Sequence, residues 1–199
     1  HHGLSGKMFT ALGRNAVNIR AIAQGSNEKN ISAVIKHQDV RKALNALHET
    51  FFTGELKTIN LFIAGVGNVG QSLLKQLQAQ EQYLRTELGI SLRLMGLASS
   101  RKMLLSESGI HLDRWQKEFE NASEYTASEF TGYIKSLNVN NSVFVDNTAN
   151  DVIARLYPQL LEHGVSVVTC NKIACASEYA YYQHLKSLAK KYNANFLFE

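Results

Sequence analysis

The sequence predicts an α/β protein: a doubly wound parallel sheet preceded by a smaller α+β unit. Three observations predict it. From Thr58 onward, short apolar runs rich in β-branched residues alternate with segments whose apolar residues recur at helical spacing. That order gives parallel strands covered by helices on both faces. Before that point, residues 3–52 read helix, strand, strand, helix, which is most of a βαββαβ unit. At the join stands Gly65-Val66-Gly67-Asn68-Val69-Gly70, a G-x-G-x-x-G set directly after the apolar run 59–64.

In the first unit, Leu4, Met8, Phe9 and Leu12 predict a helix over about 5–14, with Ser5 as its N-cap. Val17, Ile19, Ala21 and Ala23 alternate with polar residues, apart from Ile22, and predict a strand. A turn cluster at 24–27 and renewed alternation over 30–36 make a hairpin. Asp39 is placed to cap a second helix with Val40, Ala43, Leu44 and Leu47 on one face. The first strand of the unit would precede residue 1. Residues 1–52 are therefore read as one domain, 53–57 as a linker and 58–199 as a second domain.

In the second domain, the strand 59–64 enters the glycine turn. A helix with Val69, Leu73, Leu74 and Leu77 facing inward follows, running to Leu88 with Gly89 just past its end. Residues 91–98 form a second strand, 111–121 a helix packing Leu112, Trp115 and Phe119, and 126–137 a helix packing Phe130, Ile134 and Leu137. Residues 141–145 form a buried strand, and 151–162 a helix that Pro158 kinks or splits. Residues 165–169 form a strand, 177–192 a helix, and 195–198 start a further strand.

Bulk properties exclude several classes. The chain of 199 residues is 45% hydrophobic and 19% charged, ordinary for a globular protein. A net charge of +4 scattered along the chain leaves no nucleic-acid footprint. No apolar run approaches the length of a membrane span, and HHGLSGKMF lacks the apolar core of a signal peptide. Cys170 and Cys175 fit neither a zinc knuckle nor a C-x-x-C pair, so they read as reduced thiols in a cytoplasmic protein. The chain starts on a helix-like segment and stops one residue after an apolar run, which reads as a fragment.

Strand, glycine turn and helix in that order is the context a dinucleotide site requires. Gly65 allows the tight turn, Gly67 lets a pyrophosphate approach the backbone, and Gly70 lets the helix pack on the strand. The N–H groups at the helix start then face the phosphates. In an open α/β sheet, ligands lie beyond the carboxyl ends of the strands. After the second strand comes Ala98-Ser99-Ser100-Arg101-Lys102, with no acidic residue for the ribose hydroxyls. Two hydroxyls and two cations suit a 2′-phosphate, hence NADP, although a solvated basic loop fits the same residues equally well. Asp146-Asn147-Thr148 ends the next strand, where short polar side chains could border a nicotinamide. Cys170-Asn171-Lys172 ends another. A lysine there can hold a carbonyl or carboxylate substrate, though taken alone the pattern reads first as a surface lysine before a helix.

Together these residues resemble homoserine dehydrogenase. The likeness rests on GVGNVG after a strand, Ala98-Ser99-Ser100, VDNTA at 145–149 and VVTCNK at 167–172. The segment NIRAIAQGSNEKNIS at 18–32 resembles the last regulatory ACT domain of aspartate kinase, and the order of the two parts is the layout of the bifunctional aspartate kinase–homoserine dehydrogenases. The resemblance implies a Rossmann-type sheet preceded by a partial ACT-like domain. It also implies hydride transfer from NADPH or NADH to aspartate semialdehyde, giving homoserine, in threonine and methionine biosynthesis. It makes Lys172 the strand-end lysine that contacts substrate and cofactor. It places Gly65, Gly67, Asn68, Val69 and Gly70 on the pyrophosphate, Ala98, Ser99 and Arg101 near the adenosine ribose, and Thr148 near the nicotinamide. Glu199 matches an acidic residue where the family can hold a monovalent cation. Gln24 and Ser26 lie where related domains bind an amino-acid effector, here threonine. A homo-oligomer is implied for the full-length protein. The chain departs from the family at Cys170, where proline is common, and at Ala149, where serine often stands. The family's substrate and dimerisation domain would lie beyond residue 199, so the expectation is cofactor binding with little or no turnover. Two other readings remain: a regulatory ACT module that senses an amino acid, and a non-catalytic Rossmann domain that senses NAD(P).

Overall fold

Two packing units account for the chain: His1–Glu55 with Asn138–Asn140, and Leu56–Leu137 with Asn141–Glu199. The computed structural model describes residues 3–25, 30–51 and 56–199, without the side chain of Glu49.

The first unit contains α1 (Leu4–Arg14), the hairpin β1 (Ile19–Gln24) and β2 (Ile31–Ile35), a 3-10 turn at His37–Asp39, and α2 (Val40–Phe51). Met8, Leu12, Val17 and Ala43 form its core, joined by Ile19, Ile31, Ala33, Ile35, Leu47 and Phe51. Four local expectations change. The N-cap of α1 is Gly3, at φ +83°, not Ser5, because the helix starts a residue earlier than its apolar periodicity suggests. A bulge between Ile19 and Ala21 breaks the alternation of β1, so Ala21 and Ala23 are exposed instead of buried. In α2 the buried face is Ala43, Ala46 and Leu47, while Val40 and Leu44 face outward. Asp39 ends the 3-10 turn instead of capping α2 with its side chain.

The second unit is built from β3 (Lys57–Ala64), α3 (Asn68–Thr86), β4 (Ile90–Ala98), β5 (Lys102–Ile110), α4 (Trp115–Glu120), β6 (Ser123–Glu124), α5 (Ala127–Leu137), β7 (Ser142–Asp146), α6 (Asp151–Ala154), α7 (Tyr157–Glu162), β8 (Ser166–Thr169), α8 (Ile173–Ala176), α9 (Tyr179–Lys191) and β9 (Phe196–Phe198). They form one seven-stranded sheet in the order β6-β5-β4-β3-β7-β8-β9. The five strands from β4 to β9 in that order are parallel, as expected of a doubly wound sheet.

The exception to regular βα alternation is the hairpin of β4 and β5, with β6 antiparallel beyond it. The sequence predicts no element over 103–110 and a helix from 111. The strand hides because its register shifts between Leu94 and Gly96, so its burial does not alternate. The helix after it shrinks to α4. Pro158 splits the 151–162 segment as expected, and it does so from the first turn of α7, where its missing N–H costs nothing. α3 ends at Thr86, two residues short of Leu88, with Gly89 beyond it at φ +63°.

Strand periodicity separates two cores. Leu61 and Ile63 of β3 pack on one face with Leu74, Leu94, Leu97, Ile110, Trp115 and Val145. Phe62 is buried on the other face, where Phe130, Phe144, Tyr157 and Phe196 form a chain of ring contacts 6.0–6.4 Å between centroids. Val69 does not join the first core as its spacing suggested: it is 56% exposed, and Gly70, Leu73, Leu74 and Leu77 face the sheet instead. Among the described residues no helix is long and apolar enough to cross a membrane.

Candidate functional site

The chain leaves β3 for β4 on one side and later returns to β7 on the other. The carboxyl ends of β3 and β7 therefore diverge at a switch point, where Ala64 pairs with Asp146. The glycine turn lies over this point. Gly65 N–H donates to the Ala98 carbonyl at 2.8 Å, and Asn147 N–H donates to the Ala64 carbonyl at 2.8 Å.

The three glycines meet different surroundings. Gly65 has φ +93°, and a Cβ there would lie 2.8 Å from the Asn147 carbonyl carbon and 3.1 Å from Thr148 Cγ2. A Cβ on Gly70 would collide with the Gly65 carbonyl oxygen. Gly67 is open: a Cβ there would meet nothing within 4 Å. Gly67 is also the N-cap of α3, whose first turn has no side-chain cap. The first N–H groups of this long helix have no hydrogen-bond partner among the described residues, and the surface at Gly67 is open beside exposed Asn68 and Val69, which is what an anionic pyrophosphate requires. These residues fit a dinucleotide.

The segment after β4 is a tight turn into β5. Ser99 Oγ accepts from the N–H groups of Arg101 at 3.2 Å and Lys102 at 2.9 Å, so this hydroxyl shapes the turn. Lys102 Nζ donates to the Glu120 carbonyl at 2.5 Å. Arg101 is exposed, and its guanidinium has no ion-pair partner among the described residues. Of the two cations expected here, Arg101 is the one left available. Ala98 is buried, and it contributes its backbone to the glycine turn.

Under the ends of β7 and β8 lies a polar network that sequence reading missed. Asp146 is 0% exposed, so it does not border a ligand as the sequence suggested. Its Oδ1 accepts from Thr148 N–H at 2.7 Å, and its Oδ2 from the Tyr157 hydroxyl at 2.5 Å and from Asn171 Nδ2 at 3.0 Å. The Tyr157 oxygen also lies 2.8 Å from Thr169 Oγ1. Burial first, and then the Asp146 charge, push the Tyr157 phenol well above its usual range, so it stays a donor. The signal available in sequence was a carboxylate closing a buried apolar strand, but nothing local named Tyr157 as its partner.

Thr148, half-buried, packs beside Gly65. Asn147 Oδ1 accepts from Cys170 Sγ at 3.6 Å, while its Nδ2 is buried with no partner among the described residues. Lys172 is exposed just past β8, at the start of α8, as the bare sequence pattern suggested. Glu199 reaches the same sheet edge, where its N–H donates to the Thr169 carbonyl at 3.3 Å. No group of three or more His, Cys, Asp or Glu residues that could hold a metal occurs among the described residues. In the first unit, Gln24 is exposed at the end of β1, and Ser26 lies outside the described residues.

The family described as homoserine dehydrogenase, NAD binding domain, matches residues 65–199, and the ACT domain family matches residues 1–51. A bifunctional aspartokinase/homoserine dehydrogenase of Haemophilus influenzae is 38% identical over 200 residues, covering 99% of this chain and 24% of that protein. The chloroplastic bifunctional aspartokinase/homoserine dehydrogenase 1 of Arabidopsis thaliana is 40% identical over 199 residues, covering 99% of this chain and 22% of its own length. The chain thus spans about a quarter of the length of these curated relatives. Among solved structures, a hyperthermophilic archaeal homoserine dehydrogenase in complex with NADPH matches at TM-score 0.58 and 25% identity, covering 72% of this chain and 44% of that one. Homoserine dehydrogenase from Thermoplasma acidophilum shares the fold at TM-score 0.56 and 20% identity, over 72% of this chain and 43% of that one.

Proposed function

Since this chain belongs to the homoserine dehydrogenase family through its NAD-binding domain, we propose that it is the cofactor-binding part of an NADP-preferring homoserine dehydrogenase joined to an aspartate kinase. The reaction is reduction of aspartate semialdehyde to homoserine. The observation that carries the reading is the open, uncapped start of α3 over Gly67, set at the switch point of the sheet. A bound nicotinamide dinucleotide would supply the hydride.

The chain's own residues divide the work. The N–H groups of Asn68, Val69 and Gly70 hold the pyrophosphate, and Gly65 and Gly70 shape the turn that presents them. Ala98 and Ser99 set the turn beside the adenosine ribose, and Arg101 holds the 2′-phosphate, a pairing its planar donors suit. Thr148 borders the nicotinamide. Lys172, at the end of β8, orients the substrate carbonyl and carboxylate. Glu199 offers one carboxylate to a monovalent cation. On this reading residues 1–52 are the regulatory domain, 53–57 the linker and 58–199 the cofactor-binding domain, in a cytoplasmic protein. Full-length chains form homo-oligomers.

A second reading concerns the first unit. The match of residues 1–51 to ACT domains supports an amino-acid effector site at Gln24 and Ser26, with threonine as the ligand. It is compatible with the first reading, since allostery couples two distinct sites.

Calorimetric titration of the 199-residue chain with NADPH and NADH tests the main reading. Saturable binding with NADPH favoured supports it. Equal binding retains the site and removes the NADP preference. A folded chain that binds neither overturns it.

A further inference from the structure

We propose that Asp146 is a positioning residue: with Tyr157, Thr169 and Asn171 it locks the Thr148 loop to the Lys172 loop, and so serves the nicotinamide half of the dinucleotide and not the adenosine half. The proposal rests on the cofactor reading above.

The network closes on itself. Tyr157 has one hydroxyl proton, and it goes to Asp146 Oδ2 at 2.5 Å. Thr169 is therefore the donor across the 2.8 Å contact with the Tyr157 oxygen, its one proton shared with the Asp146 backbone carbonyl at 3.3 Å. The same Thr169 oxygen accepts from Asn171 N–H at 2.8 Å. Asn171 commits its whole carboxamide: Nδ2 donates to Asp146 Oδ2 at 3.0 Å and to the Asn150 carbonyl at 2.9 Å, and Oδ1 accepts from Ile173 N–H at 3.1 Å. Lys172 is thus bracketed by two anchored neighbours. On the other loop, Thr148 N–H is held by Asp146 Oδ1 at 2.7 Å, and Thr148 Oγ1 accepts from Asn150 N–H at 3.2 Å. Asn150 then returns to Asn171 through its carbonyl. The two loops cannot slide past each other without breaking bonds to a carboxylate that is 0% exposed.

The adenosine side has a separate scaffold. Gly65 N–H is held by Ala98, and Ser99 holds the Arg101 turn. None of these bonds passes through Asp146. Loosening the network therefore disturbs one half of the ligand's contacts and spares the other.

The test compares the intact chain with Tyr157→Phe, Thr169→Val and Thr169→Ser. Each is titrated by calorimetry with NADPH and with 2′-phospho-ADP-ribose, which lacks the nicotinamide, and each thermal midpoint is recorded. The expected result is NADPH binding weakened about tenfold in Tyr157→Phe and Thr169→Val, the size of one lost buried hydrogen bond. Binding of 2′-phospho-ADP-ribose stays unchanged, and Thr169→Ser, which keeps the hydroxyl, restores NADPH binding. Should Tyr157→Phe fail to fold, the Thr169 pair decides. Equal weakening of both ligands, or of neither, overturns the proposal and leaves the cofactor reading standing. A wild-type chain that binds neither ligand overturns both.

Discussion

The carbonyl oxygen of Gly65 occupies the space that a Cβ on Gly70 would need. Five residues apart, the two glycines hold the start of α3 against the end of β3, while Gly67 between them faces open space. One motif therefore contains two kinds of glycine. Gly70→Ala is expected to destabilise the fold by about 3 kcal/mol, the upper range for overpacking, because the obstacle is backbone and cannot rotate away. Gly67→Ala is expected to change stability by less than about 1 kcal/mol and to weaken NADPH binding about tenfold or more. Urea unfolding and calorimetry of both variants separate the two effects.

Arg101→Ala is expected to weaken NADPH binding about tenfold to a hundredfold, the size of a lost charged contact, and to leave NADH binding unchanged. The difference between the two cofactors should shrink as salt is raised. Equal loss for both ligands would place Arg101 in folding and not in phosphate recognition. Lys102→Ala is not expected to copy the effect, since its Nζ donates to the Glu120 carbonyl.

Tyr157, Tyr125 and Tyr181 are all pushed above the ordinary phenol value of 10.0, first by burial. A raised folded pKa means that the unfolded chain loses these protons first as pH rises. Stability from this source is complete below about pH 10 and declines above it. Denaturant unfolding between pH 8 and pH 11 should therefore show falling stability above pH 10. Tyr157→Phe should be less stable at neutral pH and should decline less steeply in the alkaline range.

Burial raises the Cys175 thiol above its ordinary value of 9.0, partly opposed by Lys186. In a Cys170→Ala background, alkylation of Cys175 by iodoacetamide should be slow at neutral pH, with a rate midpoint above pH 9.0. Lys186→Met should raise that midpoint further. A midpoint below 9.0 would contradict the burial argument.

What was legible in the sequence was what local pattern encodes. The runs ending at Ala64, Ala98, Val145 and Thr169 are apolar on both sides, as strands covered by helices must be, and all four are strands. Pro158 and Gly89 marked helix boundaries by backbone chemistry alone. β5 escaped because Ser106, Glu107 and Ser108 sit where its register slips, and no alternation survives there. Leu44 and Val69 were assigned inward from spacing, but small residues, Ala46 and Gly70, set the faces that pack.

At the site, strand ends could be read but the bonds joining them could not. Lys172 and Thr148 follow apolar strands, and their places at the strand ends are legible from the pattern. Asp146 was expected to line the site, yet Tyr157, 11 residues on, and Asn171, 25 residues on, draw it into the interior. A pairing across that separation leaves no trace in local composition. Ser99 is expected near the ribose, and the bonds its hydroxyl accepts within the turn from the Arg101 and Lys102 N–H groups could not be read from the sequence.

The pairing of Ala64 with Asp146 has a consequence for how the molecule folds. β4 and β5 form a local hairpin, whereas β7 pairs with β3 across the intervening strands and α5, at a larger loop-closure cost. The glycine turn can assemble early, whereas the close approach of Gly65 to Asn147 exists only once that junction closes. Pulse-labelled hydrogen exchange should protect the Asn147 amide after the Lys102 amide. If so, a dinucleotide bound there cannot template the early chain; it captures a junction already closed and acts as a brake on unfolding.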